Sequence, residues 1–158
     1  MVHSDEDLAG LFSNLVRLEI SLWNDIDHKL EATHGLPLGW FVPMRAVSLS
    51  KAGHLRVNQI AEALMVTVGG TSKLIDRITE AGYFQREADP EDRRASRIVL
   101  TATGKRMLAA AAKTQRSELK RLIGQTLDTK EQRTFATLVK RLLDAYSPTS
   151  GEHHRPRW

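Results

Sequence analysis

The residues with most to offer chemically lie mid-chain, in Asp89-Pro90-Glu91-Asp92-Arg93-Arg94. Asp-Pro opens a turn, and a turn between two strand-like runs makes a projecting tip. Two arginines on such a tip suit a narrow, strongly negative groove such as the minor groove of DNA. Asp92 can hold a guanidinium beside it by a bidentate pair. The bland reading of the same residues is a polar surface turn. A second group stands upstream, in Thr67-Val68-Gly69-Gly70-Thr71-Ser72-Lys73, with Arg77 one turn further on. Thr71 and Ser72 can hydrogen-bond bases or phosphates, and Lys73 can reach a phosphate. Gly69 and Gly70 each cost a helix about 1 kcal/mol against alanine. Either their missing side chains let a phosphate approach the N-terminal amides, or they form a loose turn before a helix that starts at Thr71. Arg77 with Asp76 reads equally as a solvated pair.

These groups need elements to position them. Two short helices, about 58–64 and 67–81, are separated by a tight turn, with Ile60, Ala61, Leu64, Leu74, Ile75 and Ile78 facing inward. They make a helix-turn-helix, whose second helix presents its N-terminal residues to base edges. Thr67 is its N-cap and Gly82 its stop. Strands are predicted at 83–87, which carries Arg86, and at 96–100, where Ile98 and Leu100 alternate with Arg97 and Val99. A hairpin after a helix pair is a winged helix. Upstream, apolar residues from Leu8 to Leu30 recur at three- and four-residue spacing, predicting one helix over about 5–33. Ser4 with Asp7 caps its start. A second helix spans 38–49, and Pro43 inside it predicts a kink or a late start. Residues 55–57 read as a short extended piece. Downstream come two further helices, one from about Thr101 and one on Phe135, Leu138, Val139, Leu142, Leu143 and Tyr146, capped by Thr129 and Gln132. The fold class is mainly α with a small β-wing.

Composition narrows the function classes. A 41 % hydrophobic chain of 158 residues can bury a core. No apolar run approaches the roughly 20 residues of a membrane span. The acidic start, Asp5-Glu6-Asp7, is unlike a secretory signal, so a cytoplasmic protein is expected. With no cysteine, thiolate catalysis, thiol redox sensing and thiolate zinc sites are excluded. The net charge of +4 favours an anionic partner, but unevenly: residues 1–50 carry −4, 51–105 carry +2 and 106–158 carry +6. The segment expected to read DNA is only weakly basic, so contact with DNA depends on the placement of particular arginines. Two rivals are weighed. An enzyme would need a nucleophile elbow, phosphate loop or dinucleotide fingerprint, and none is present. A winged helix that binds protein instead of nucleic acid would expose an apolar patch around Ser72 and Arg77.

Residues from about 55 to 105 resemble the MarR (multiple antibiotic resistance regulator) family. The matching stretches run from Val57 to Leu64, from Thr71 to Arg77, through Ala81-Gly82-Tyr83, and from Asp89 through Leu100-Thr101-Ala102-Thr103-Gly104. The last, an Asp-x-Arg tip followed by a strand and Leu-Thr-x-x-Gly, is the most specific. The resemblance implies a homodimer joined by the first helix and the last two, bound to a pseudo-palindromic operator on double-stranded DNA. It also implies release by a small aromatic or phenolic ligand, or by oxidation. The chain then divides into a dimerisation helix (1–36), the winged helix-turn-helix (37–104), C-terminal dimerisation helices (105–147) and a tail (148–158). Two departures stand out: Met65-Val66 replaces a glycine-containing turn, and Pro43 interrupts the second helix. The lack of cysteine removes the thiol-oxidation mechanism.

The resemblance puts a ligand pocket between the dimer helices and the winged helix. Trp23, His28, Trp40 and Arg45 are its candidates here, although aromatics at helical spacing are commonly core. A buried Arg45 would want an anion, either a carboxylate ligand or an internal acid such as Asp25 or Asp27. His28, Glu31 and His34 have a spacing zinc can use, but Gly35 frays that turn, and no metal or cofactor is assigned.

Overall fold

The computed structural model describes residues 5–92 and 94–145. Expectations for Ser4, Arg93, Tyr146, Ser147 and the 148–158 tail lie outside the described residues. Helix α1, Asp5–His34, runs for 30 residues. It stops at Gly35, whose φ of +62° is the left-handed conformation glycine tolerates. Three residues later α2 begins, Leu38–Leu49. Its N-cap, Pro37, has no side chain to offer. Asp27 on α1 supplies the missing acceptor, its Oδ1 taking the Leu38 N–H at 2.6 Å.

Pro43 neither delays α2 nor breaks it in two. The proline removes one donor, but its ring is fully buried among the core side chains, which offsets that loss. The helix-turn-helix follows as α3, Val57–Leu64, and α4, Val68–Glu80. Met65 joins them in the left-handed region, with φ 55° and ψ 38°. This is the site where glycine was expected, and a side chain there costs about 1 kcal/mol or more.

The wing has three strands, where the sequence predicts a hairpin and a short extended piece. Strand β1, His54–Arg56, pairs antiparallel with β3, Ser96–Leu100, which pairs antiparallel with β2, Phe84–Ala88. Leu55 and Arg86 both lie opposite Ile98. The Leu-Thr-x-x-Gly stretch now has a physical account. Thr101 caps α5, Ala102–Leu119, by accepting the Gly104 N–H at 2.9 Å, and its hydroxyl donates to the Gly82 carbonyl at 2.6 Å. A Cβ on Gly104 would collide with the Tyr83 carbonyl. The motif therefore welds the end of the wing to the start of α5. A single π-helical turn, Lys120–Gly124, ends that rod before α6, Thr129–Ala145. The cap of α6 is Asp128, not Thr129. Its Oδ1 accepts the N–H groups of Lys130 and Glu131, and Glu131 returns a bond to the Asp128 N–H.

The core draws on the second half of α1 and on α2, α3, α4, the sheet and α5. Leu30, Phe41, Met44, Ile60, Ile75, Ile78, Phe84 and Ile98 form its centre. The ends of the chain are different. Phe12 on α1 is 68 % exposed, and Leu142 and Leu143 on α6 are each 65 % exposed. Leu8, Leu11 and Leu138 are exposed as well. These are helical apolar stripes that no described residue covers.

Candidate nucleic-acid interface

Helix α4 owes its phase to Thr67. Its hydroxyl accepts the Gly70 N–H at 3.3 Å, so the helix begins at Val68 and both glycines lie in its first turn. No loose turn therefore precedes Thr71. Both glycines are exposed, and nothing lies within 4 Å of a Cβ built on Gly69. The Gly70 N–H is taken by Thr67, so the first turn offers the Val68 and Gly69 N–H groups at the positive end of a helix, where an anion is favoured.

The same phase withdraws Thr71 from that face. Its side chain is fully buried, and its hydroxyl donates to the Thr67 carbonyl at 2.9 Å. Ser72 is half-buried, while Lys73 and Arg77 are exposed. Asp76 does not pair with Arg77. It binds Arg86 of β2 at 2.7 Å and so ties the wing to α4.

The hairpin between β2 and β3 carries Asp92 and Arg94 at the surface. Asp92 Oδ1 accepts the backbone N–H of Arg94 at 2.9 Å, and among the described residues it holds no guanidinium. The aspartate therefore shapes the turn. The exposed Arg94 side chain has no ion-pair partner among the described residues.

Beneath the hairpin lies a cluster that sequence reasoning missed. Asp89 is buried, its side chain only 1 % exposed. Its Oδ2 accepts from Arg56 Nε at 2.6 Å, and its Oδ1 accepts the Glu91 N–H at 2.9 Å and lies 3.2 Å from Arg97 Nη2. The Arg56 hydrogen bond, helped by the Glu91 N–H, holds the Asp89 carboxyl down to about 2. The Asp-Pro turn was the one sequence signal. Its partners are strand residues whose proximity depends on register.

The ligand-pocket candidates separate. Trp23 and Trp40 line one cavity of about 590 Å³ with Leu64, Met65, Leu74 and Arg77, between the N-terminal helices and the helix-turn-helix. Trp40 also meets Tyr83 edge to face at 6.4 Å. His28 is exposed and does not line this cavity. Arg45 is not buried. It is exposed, and its Nη1 donates to Gln115 Oε1 at 2.9 Å. Neither proposed acid meets it: Asp27 caps α2, and Asp25 lies 3.9 Å from Arg121. Arg45 borders a separate groove of about 330 Å³ with Lys105 and Arg116. His34 Nε2 shares a 2.8 Å hydrogen bond with Thr114, and no cluster of three metal-ligating residues occurs among the described residues. No helix among them is long and apolar enough to cross a membrane.

Known proteins repeat this arrangement. The MarR family model matches residues 34–95, which span α2, the helix-turn-helix and most of the wing. The transcriptional regulator HosA of Escherichia coli O111:H- is 32 % identical over 105 residues, covering 65 % of this chain and 77 % of HosA. Among solved structures, the MarR family regulator Sco3205 of Streptomyces coelicolor, in complex with DNA, has a TM-score of 0.83 at 18 % identity, covering 99 % of this chain and 98 % of that one. A mutant MarR from E. coli complexed with operator DNA has a TM-score of 0.70 at 21 % identity, covering 87 % and 99 %. Relatives and fold alike are those of transcriptional regulators, not of enzymes. The chain belongs to the MarR family of winged-helix transcriptional regulators.

Proposed function

We propose that this regulator binds double-stranded DNA as a homodimer, in the cytoplasm, and acts as a ligand-responsive repressor. The first turns of α4 enter the major groove and Arg94 enters the neighbouring minor groove. The observation that carries this reading is the set of exposed groups on α4 and on the wing. Gly69, Gly70, Lys73 and Arg77 are exposed on α4, and the wing hairpin carries an exposed Arg94 with no acid partner among the described residues. Arg86–Asp76 ties the two parts together. Sco3205 and MarR, which share the fold, were solved with DNA. The exposed stripes of α1 and α6 support pairing through regions 1–36 and 105–147. Two-fold pairing demands two half-sites about one duplex turn, roughly 10 base pairs, apart. The test is titration of a random duplex pool with purified protein. Complexes with two protomers per duplex support the reading, and no retained DNA at low salt overturns it.

For the effector we propose a small aromatic carboxylate in the cavity beside Trp23 and Trp40. A cavity of about 590 Å³ is in the size range of ligand pockets. Arg77 on its wall supplies the cation assigned earlier to Arg45, and it belongs to the helix that reads DNA. A ligand carboxylate drawing Arg77 inward would therefore compete with its use on DNA. A panel of benzoate-like acids should quench tryptophan emission and weaken DNA binding, and Trp40→Ala should remove both effects. No acid moving either signal would refute the effector. Peroxide should release no DNA while methionines stay intact, because there is no thiol to oxidise.

A further inference from the structure

Asp89 lies outside the surface just described, yet it is the most deeply held acid beside it. Arg56 and Arg97 stand directly opposite each other in the β1–β3 register. Like charges so placed repel, and Asp89 inserts its carboxylate between them. Both oxygens are committed: Oδ2 to Arg56 Nε, Oδ1 to the Glu91 N–H and to Arg97. The neighbouring acid, Glu91, is largely exposed and 3.6 Å from Arg56. Arg97 Nε is already buried without a hydrogen-bond partner among the described residues. One buried carboxylate thus serves two guanidinium groups, whereas the exposed Glu91 reaches Arg56 alone. Arg56 is also the N-cap of α3, its N–H donating to Gln59 Oε1 at 2.8 Å. Asp89 itself is one residue beyond β2 and five before Arg94.

We propose that Asp89 is a positioning residue: by clamping Arg56 at the start of α3 to Arg97 on β3, it fixes the wing tip, and with it Arg94, relative to the helix-turn-helix. The inference rests on the DNA-binding reading. Asp89 touches no DNA in this account and acts only through where it holds the hairpin. Replacing it with asparagine keeps the shape but removes the charge. It leaves two cations facing each other and turns an amide N–H toward a guanidinium. The hairpin relaxes by moving them apart, and the tip moves with it.

The test is a double-mutant cycle on DNA affinity, using fragments selected by the parent. Asp89→Asn alone should weaken binding about 10- to 100-fold, as removal of an orienting partner does at other binding groups. It should also make the salt dependence shallower, as loss of the Arg94 contact would. In an Arg94→Ala background the same substitution should cost less than about threefold, because there is no guanidinium left to position. Hydrogen exchange across residues 89–96 should rise in the free protein. If Asp89→Asn does not fold, Arg97→Lys, which keeps the charge and loses the guanidinium geometry, enters the same cycle. Fully additive losses, or parental affinity in the single variant, overturn the inference alone. A parent that retains no DNA overturns the DNA-binding reading and this inference together.

Discussion

Arg94→Ala should abolish tight DNA binding while leaving the free protein folded. In the free chain the Arg94 side chain is exposed and has no acid partner among the described residues. The turn is held instead by the Asp92 carboxylate on the Arg94 backbone N–H, which alanine keeps. The fold therefore loses about 0.5 kcal/mol or less, which moves the thermal midpoint by roughly 2 °C at most. On DNA the guanidinium faces concentrated negative potential in the minor groove. If each copy contributes about 1 to 2 kcal/mol there, a dimer loses about 2 to 4 kcal/mol. That corresponds to roughly 30- to 1,000-fold in affinity. The slope of log affinity against log salt should become shallower by up to about 2. Fluorescence-anisotropy titration of a selected duplex at several salt concentrations measures both, with Lys130→Ala on α6 as an exposed cation remote from the wing. Parental affinity in Arg94→Ala would refute the reasoning, as would a binding loss that tracks a lost thermal transition.

Three further outcomes follow from other parts of the molecule. Leu138→Glu with Leu142→Glu, both on the exposed stripe of α6, should convert a dimer to a monomer by sedimentation; a parent that already sediments as a folded monomer at micromolar concentration contradicts dimerisation. Met65→Gly should stabilise the protein by about 0.5 to 1 kcal/mol, because φ 55° strains a side chain and suits glycine; an unchanged or lower denaturation midpoint counts against that strain. Asp89 ionises near 2 when folded, against an ordinary 3.8. Its lowered pKa makes a stabilising contribution that is complete above the ordinary value and lost as pH falls through about 2. The parent should therefore lose stability more steeply than Asp89→Asn between those values, and parallel acid melting curves would exclude the effect.

Much of this was legible in the sequence because helix periodicity and turn chemistry are local. Thr67, Gly35, Gly82 and the Asp-Pro turn all mark element boundaries that the structure keeps within a residue or two. What failed was helix phase. In α2 the buried residues Leu38, Phe41, Met44 and Val47 recur every three positions. A stripe of that period slides by about 60° per step around a helix with 3.6 residues per turn. By the level of Arg45 it has turned away, so the arginine lies in solvent. Thr71 was misplaced for the same reason. Its hydroxyl is one turn beyond the cap at Thr67 and points back under the helix. The Asp89 clamp was invisible for a different reason. Arg56 is 33 residues away, and only the β1–β3 register brings it and Arg97 to the same carboxylate. The αL turn at Met65 was visible as a departure from the glycine-containing pattern, but its strain needed a backbone angle.

The central claim is that α4 and the wing of a two-fold dimer read a symmetric DNA site. Sequencing of duplex fragments selected by the purified protein tests it most directly. The account predicts an inverted repeat whose half-sites lie about 10 base pairs apart centre to centre, each flanked by a narrow-groove, A·T-rich step where Arg94 enters. A selected pool with no inverted repeat, or no enrichment over the input, would contradict it.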